Sequence, residues 1–252
     1  CSHEKSASRW QAQNSTLNQN QEKIDIKFYE LNLDIDFNAS RIRGSVTVNG
    51  VIGNIYPDFI ELDLHDNMIV DSILQNNIPI LYLHENDILK IPISDITIDD
   101  ENLFSLTIFY QGTPDHCGAG GFKFDEHQNI GHVWTLSEAY CARSWWPCKD
   151  DPSDKADSVN IIISVPLEPA YIVASNGLLS STTINNNKKT YFWKESYPIT
   201  TYLVSLAIYP YTKWVDQYVS PISSDTMLIE HYVFPDRYEA SYPNYSLTKD
   251  ML

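Results

Sequence analysis

Histidine is the residue most often found at metal and acid–base sites, and this chain has seven: His3, His65, His84, His116, His127, His132 and His231. A zinc-binding helix needs two of them four positions apart, with a Glu after the first, so that both imidazoles share one helix face. No pair has that spacing; His3-Glu4 and His84-Glu85 open like the motif but lack the second His. His116, Cys117, His127 and His132 come nearest to a ligand cluster. They are read as solvated loop residues around Gly118, Gly120 and Gly121, so no metal site is expected in this chain. There is no GxSxG elbow, no Walker loop and no GxGxxG, and Gly118-Ala119-Gly120-Gly121 has no helical pattern behind it to cradle a phosphate. No catalytic residue is therefore assigned.

One segment, Trp134 to Ala156, concentrates aromatic, charged and turn-forming residues. Arg143, Asp150, Asp151 and Lys155 read as structural: an Asp-Asp-Pro turn offers carboxylate acceptors to backbone N–H groups, and a nearby cation neutralises them. Trp134, Trp145 and Trp146 read as packing residues. The four cysteines stand at 1, 117, 141 and 148, with no CxxC pair. Cys141 and Cys148 are expected to be buried and reduced, with a disulfide between them left open.

The elements that must position this segment show period two. Ile24, Ile26 and Phe28 alternate with polar residues, then Leu31, Leu33, Ile35 and Phe37 alternate in the opposite phase. Such a slip predicts a β-bulge at Tyr29–Glu30. Ile60–Leu64, Leu89–Ile93 and Phe104–Tyr110 repeat the alternation, while Val159–Val165 and Tyr202–Ile208 read as more continuously apolar strands. Turn signals such as Asn49-Gly50 and Asn185-Asn186-Asn187 punctuate the runs. The reading is all-β: a large sandwich-like domain of about ten or eleven strands, with the start of a helix at the C-terminus over Asp236–Leu252.

Composition agrees with a folded domain and narrows its partners. The chain has 252 residues, 33 acidic against 17 basic side chains, and a formal net charge of -16. That balance argues against a nucleic-acid partner, since phosphate binding needs clustered Lys and Arg. No apolar run approaches the roughly 20 residues of a membrane-spanning helix. The polar stretch from His3 to Glu22 reads as a tether. Cys1-Ser2 ahead of it is either the start of a mature bacterial lipoprotein, the cysteine carrying lipid, or an arbitrary fragment end.

The Trp134–Ala156 segment resembles the signature of the N-terminal domain in the aminopeptidase N family of zinc metallopeptidases. That signature runs roughly Q-x-E-x-x-x-A-R, two residues, an aromatic, then P-C-x-D-[ED]-P-x-x-K-A. The matches are Glu138, Ala142, Arg143, Trp146, Pro147, Cys148, Asp150, Asp151, Pro152, Lys155 and Ala156. Further matches follow in the family's order: Val173-Ala174-Ser175-Asn176-Gly177 looks like its V-x-S-N-G turn, and Pro198-Ile199-Thr200-Thr201-Tyr202-Leu203-Val204 resembles its P-[MI]-S-T-Y-L-[VL] strand.

The resemblance implies a saddle-like β domain that precedes a catalytic domain carrying HExxH, a further Glu and zinc. None of those motifs is in this chain, so zinc is expected only in the catalytic domain. It also implies that Glu138 binds the free α-amino group of a peptide substrate, where a carboxylate–ammonium pair makes a charge-assisted hydrogen bond. Leu136 stands where many members carry Gln, so the first-residue pocket is expected to differ. The expected organisation is a polar tether at 1–22, the N-terminal β domain at 23–235, and a linker and helix start at 236–252. Expected partners are a peptide with a free N-terminus and the catalytic domain of the same protein, with a lipid anchor through Cys1 if the lipoprotein reading holds. The expected compartment is extracytoplasmic. The alternative is a stand-alone, non-catalytic β-sandwich module that binds peptides.

Overall fold

The computed structural model describes residues 17–118, 120–223 and 225–252. Cys1, the candidate site of a lipid anchor, and most of the polar tether lie outside the described residues. The architecture is all-β, as the alternation predicts. Twenty strands are present among the described residues, and eleven of them are seven residues or longer. Seven of the others are only two to four residues long, too short to show an alternation, which is why the sequence pattern yields ten or eleven.

The largest sheet has eight strands, built around β1 (Ile24–Asp36) and β2 (Arg41–Ile52). β1 pairs antiparallel with β2 and parallel with β13 (Ser158–Pro166). A second sheet of five strands includes β9 (His116–Cys117), β10 (Gly120–His127), β11 (Ile130–Leu136), β14 (Ile172–Ser175) and β18 (Leu206–Tyr209). Inward residues of both sheets, among them Leu31, Leu33, Ile161, Phe122 and Val133, share one buried core.

Three expectations need correction. The register shift of β1 falls between Ile26 and Phe28, not at Tyr29–Glu30. Tyr29 is the inward residue because its hydroxyl accepts the Lys149 backbone N–H at 3.0 Å, which satisfies the buried oxygen. Residues 202–208 are not one strand: a 3-10 turn spans Thr201–Leu203, and β18 begins only at Leu206. The turn signal at Asn49-Gly50 falls inside a strand, Arg41–Ile52, where the two residues pair with Phe28 and Ile26. The helix expected near the C-terminus is present as α1, Tyr238–Tyr245, a short helix with Pro243 inside it.

The end of the polar N-terminal stretch packs against the domain. Gln21 is buried, and its Nε2 donates to Asp63 Oδ2 at 2.9 Å. No helix among the described residues is long and apolar enough to cross a membrane.

Candidate functional site

The Trp134–Ala156 segment leaves β11 at Leu136, turns, and crosses back over the core. Trp145 and Trp146 are fully buried. Trp146 meets Tyr29 edge-on with ring centres 4.9 Å apart, and Trp145 tilts against Phe122 at 5.5 Å. Trp134 is half-buried. Burying two indoles here anchors the turn between them and β11, because aromatic side chains bury more area than any others. The Trp145 Nε1 donates to Ser137 Oγ at 3.1 Å, fixing the residue before Glu138.

Behind the turn lies a buried ionic network. Arg143 donates from Nε to Asp150 Oδ2 at 3.0 Å and lies 3.1 Å from Asp63 Oδ1 through its terminal nitrogen. Asp150 Oδ2 also accepts the Arg143 backbone N–H, while Oδ1 accepts the Thr201 hydroxyl at 3.0 Å. Burial pushes the Asp150 carboxyl up to about 6, against the pull of Arg143. Burial likewise raises Asp63. The guanidinium moves the other way in effect: burial opposes its charge, yet the two carboxylates outweigh burial and raise its pKa. Asp151 accepts the Ser153 N–H and hydroxyl at 2.8 and 2.6 Å. These are structural duties, as the turn chemistry predicts. The buried lysine of the segment is Lys149, bonded to the Ile24 carbonyl at 2.6 Å and to Asp154 at 3.1 Å, whereas Lys155 is exposed.

The cysteine expectation is corrected. Cys141 is bonded to Cys117, with Cα atoms 5.6 Å apart, and Cys148 is the buried free thiol, raised well above its usual pKa by burial. Cys148 is buried and reduced as expected, but Cys141 is not, because the short β9 strand carries Cys117 across to the turn. The histidine reading also changes. His132 is buried in β11, where burial lowers its pKa, and His127 at the end of β10 bonds Asp236 at 2.7 Å. Among the described residues, no group of three or more His, Cys, Asp or Glu side chains could hold a metal ion.

Leu136 and Glu138 come together on one cavity of about 280 Å³. Its opposite wall is Asn176, Tyr202, Leu203 and Ser205. The two walls are tied at the base by the Leu206 N–H, which donates to Thr135 Oγ1 at 2.9 Å, and the second wall is braced within itself where Asn176 Oδ1 accepts the Ser205 N–H at 2.7 Å. Glu138 is exposed, and among the described residues nothing bonds its carboxylate. Arg143, the nearest cation in sequence, is taken by Asp63 and Asp150. A free carboxylate on a cavity rim beside the apolar Leu136 and Leu203 is suited to an ammonium attached to a side chain. A larger open cleft of about 810 Å³ lies elsewhere, beside Arg41, Asn67 and His116. It is wider but holds no such unengaged carboxylate at a turn built to present it, so the smaller cavity is the better candidate.

Sequence reading singled out Leu136 and Glu138 but not the opposite wall. The signal was present, because Asn176 sits in the Val173–Gly177 turn and Tyr202 and Leu203 in the Pro198–Val204 stretch.

Comparison with known proteins bears on the same residues. The model of the peptidase M1 N-terminal domain matches residues 25–203. A leucine aminopeptidase 2 from Vanderwaltozyma polyspora is 30% identical over 198 residues, covering 75% of this chain and 29% of the yeast protein. A mutant M1 zinc metallopeptidase of Deinococcus radiodurans, bound to a Tyr-Ser-Ala substrate, aligns over 86% of this chain and 49% of its own, at 23% identity and TM-score 0.74. Native yeast LTA4 hydrolase aligns over 97% of this chain and 38% of its own, at 21% identity and TM-score 0.72. The two structural likenesses show the fold. The chain spans less than half the length of each of these relatives.

Proposed function

The chain belongs to the peptidase M1 family through its N-terminal domain, and on that footing we propose that it forms the substrate-anchoring part of a zinc-dependent aminopeptidase. The observation that carries this reading is the unengaged Glu138 carboxylate on the rim of the Leu136–Leu203 cavity. A peptide's α-ammonium pairs with that carboxylate, and the first side chain lies against Leu136. Pairing of this kind selects for a free N-terminus and sets the distance from the amine to the scissile bond, which is positioning rather than bond-making. The similarity to a leucine aminopeptidase and to a zinc metallopeptidase bound to a tripeptide supports this substrate class.

In this reading the zinc belongs to a catalytic domain of the same polypeptide, since the sequence of residues 1–252 carries no HExxH motif, and this chain alone is expected to be inactive. The Cys117–Cys141 disulfide supports an extracytoplasmic compartment, since such bonds persist where the surroundings are oxidising.

The test compares the full-length protein with residues 1–252 alone, using zinc content and hydrolysis of an alanyl chromogenic substrate. Turnover and stoichiometric zinc are expected only for the full-length protein. Zinc bound by the 1–252 chain, or a reading frame that stops soon after Leu252, contradicts the proposal; the latter leaves a stand-alone peptide-binding module.

A further inference from the structure

Glu138 presents a positioning problem. Its side chain has no partner among the described residues, so its place on the cavity must come from the backbone of the turn. That backbone is sparsely held. Among the described residues, no hydrogen bond reaches the main chain of Glu138, Ala139 or Tyr140. Among the described residues, the turn is secured at its two ends. At the first, Leu136 closes the β10–β11 ladder opposite Gly121, and Ser137 is held by Trp145. At the second, the Cys141 N–H donates to the Ser137 carbonyl at 3.0 Å, and the Cys141 carbonyl accepts the Ser144 hydroxyl at 2.7 Å.

The second end also carries a covalent tie. Cys117 lies in β9, which pairs with the start of β10 through Gly120 and Gly121. The Cys117–Cys141 bond therefore closes a ring, with a sequence separation of 24, that runs through β10, β11 and the turn and has Glu138 on its circumference. We propose that this disulfide is the brace that places Glu138, so that Cys117 and Cys141 are positioning residues for recognition of the substrate amine. The proposal rests on the reading of Glu138 as the amine anchor. A disulfide placed for stability alone has no need to end three residues from that carboxylate. Here the link crosses from the strand edge to the far end of an otherwise loosely bonded turn, and its loss frees the turn without removing either tryptophan from the core.

The test uses the full-length protein and the ratio of kcat/KM for alanyl p-nitroanilide to that for propionyl p-nitroanilide, which lacks the amine. Peptide mapping without reductant should recover Cys117 and Cys141 as one linked peptide; two free thiols overturn the proposal. Cys117→Ser/Cys141→Ser, assayed well below its melting temperature, should raise KM for the alanyl substrate about tenfold with kcat changed little, a size set by small misplacements of a binding group. The alanyl-to-propionyl ratio should fall by the same factor. A lowered Tm with an unchanged ratio means a staple for stability only, and overturns the proposal. If the double variant does not fold, the native protein reduced with a phosphine and alkylated at both thiols should show the same fall; an unchanged ratio again overturns it. Glu138→Ala, run in parallel, separates the two layers. If it abolishes the ratio while the disulfide variant keeps it, the anchor stands and the brace falls. If it leaves the ratio intact, both fall.

Discussion

Asp150 and Thr201 are joined by a buried hydrogen bond, Oγ1 to Oδ1 at 3.0 Å, that links the backs of the two walls of the cavity. Asp150 holds the Arg143 turn that follows Glu138, and Thr201 begins the 3-10 turn that carries Tyr202 and Leu203. A single carboxyl group thus sets the spacing of segments that are about fifty residues apart in sequence.

Asp150 should make stability depend on pH. Its folded pKa of about 6 lies above the ordinary value of 3.8 because burial disfavours the charge. The folded state then holds the proton more tightly than the unfolded state. This group's contribution is fully present below the unfolded pKa and is lost as pH rises through about 6. Asp150→Asn removes the titration. Thermal melts of the native protein and of Asp150→Asn should show the native form gaining relative stability as pH falls from 7 to 5. A difference that is flat across that window contradicts the assignment.

Gly120 is needed for the approach of β10 to β11 beside the site. A Cβ at this position would overlap the Leu136 carbonyl, a backbone atom that cannot yield without moving the strand that leads to Glu138. Gly120→Ala should cost about 1–3 kcal/mol of stability, a typical overpacking penalty, and should raise KM for aminoacyl substrates. Chemical denaturation and steady-state kinetics check both parts. An unaltered KM would separate the strand spacing from the site.

Leu136 is half exposed on the cavity wall, opposite Leu203. Leu136→Gln should lower kcat/KM for a leucyl substrate relative to an alanyl one by about tenfold, the low end of what a lost apolar contact in a pocket changes. A retained preference would place the first side chain away from Leu136.

How much of this was legible in the residues follows from what each signal encodes. Alternation encodes which face is buried, so β1 and β13 could be read, along with the all-β class, whereas β2 could not, because Asn49-Gly50 reads as a turn yet pairs within that strand. It cannot place a bulge when a tyrosine faces inward: Tyr29 reads as polar, and only its bond to the Lys149 N–H, from a segment 120 positions away, explains its burial. Glu138 and Leu136 were legible only through the resemblance of their segment to a family signature. Asn176, Tyr202, Leu203 and Ser205 could not be assigned to the site, since only the pairing of β18 with β11 and β14 brings them opposite Glu138. The disulfide was not legible for the same reason: Cys141 reads as a reduced, buried residue, and only the pairing of β9 with β10 brings Cys117 to it.

The central claim is that Glu138 recognises a free amine. The most direct measurement is the steady-state kinetics of full-length Glu138→Ala on an alanyl substrate and on its amine-lacking propionyl counterpart. A charge-assisted hydrogen bond is worth about 1.5–3 kcal/mol, so kcat/KM for the alanyl substrate should fall about 10- to 100-fold, mostly through KM, while the propionyl substrate is little affected. Equal losses on both substrates, or no loss on either, would contradict the account.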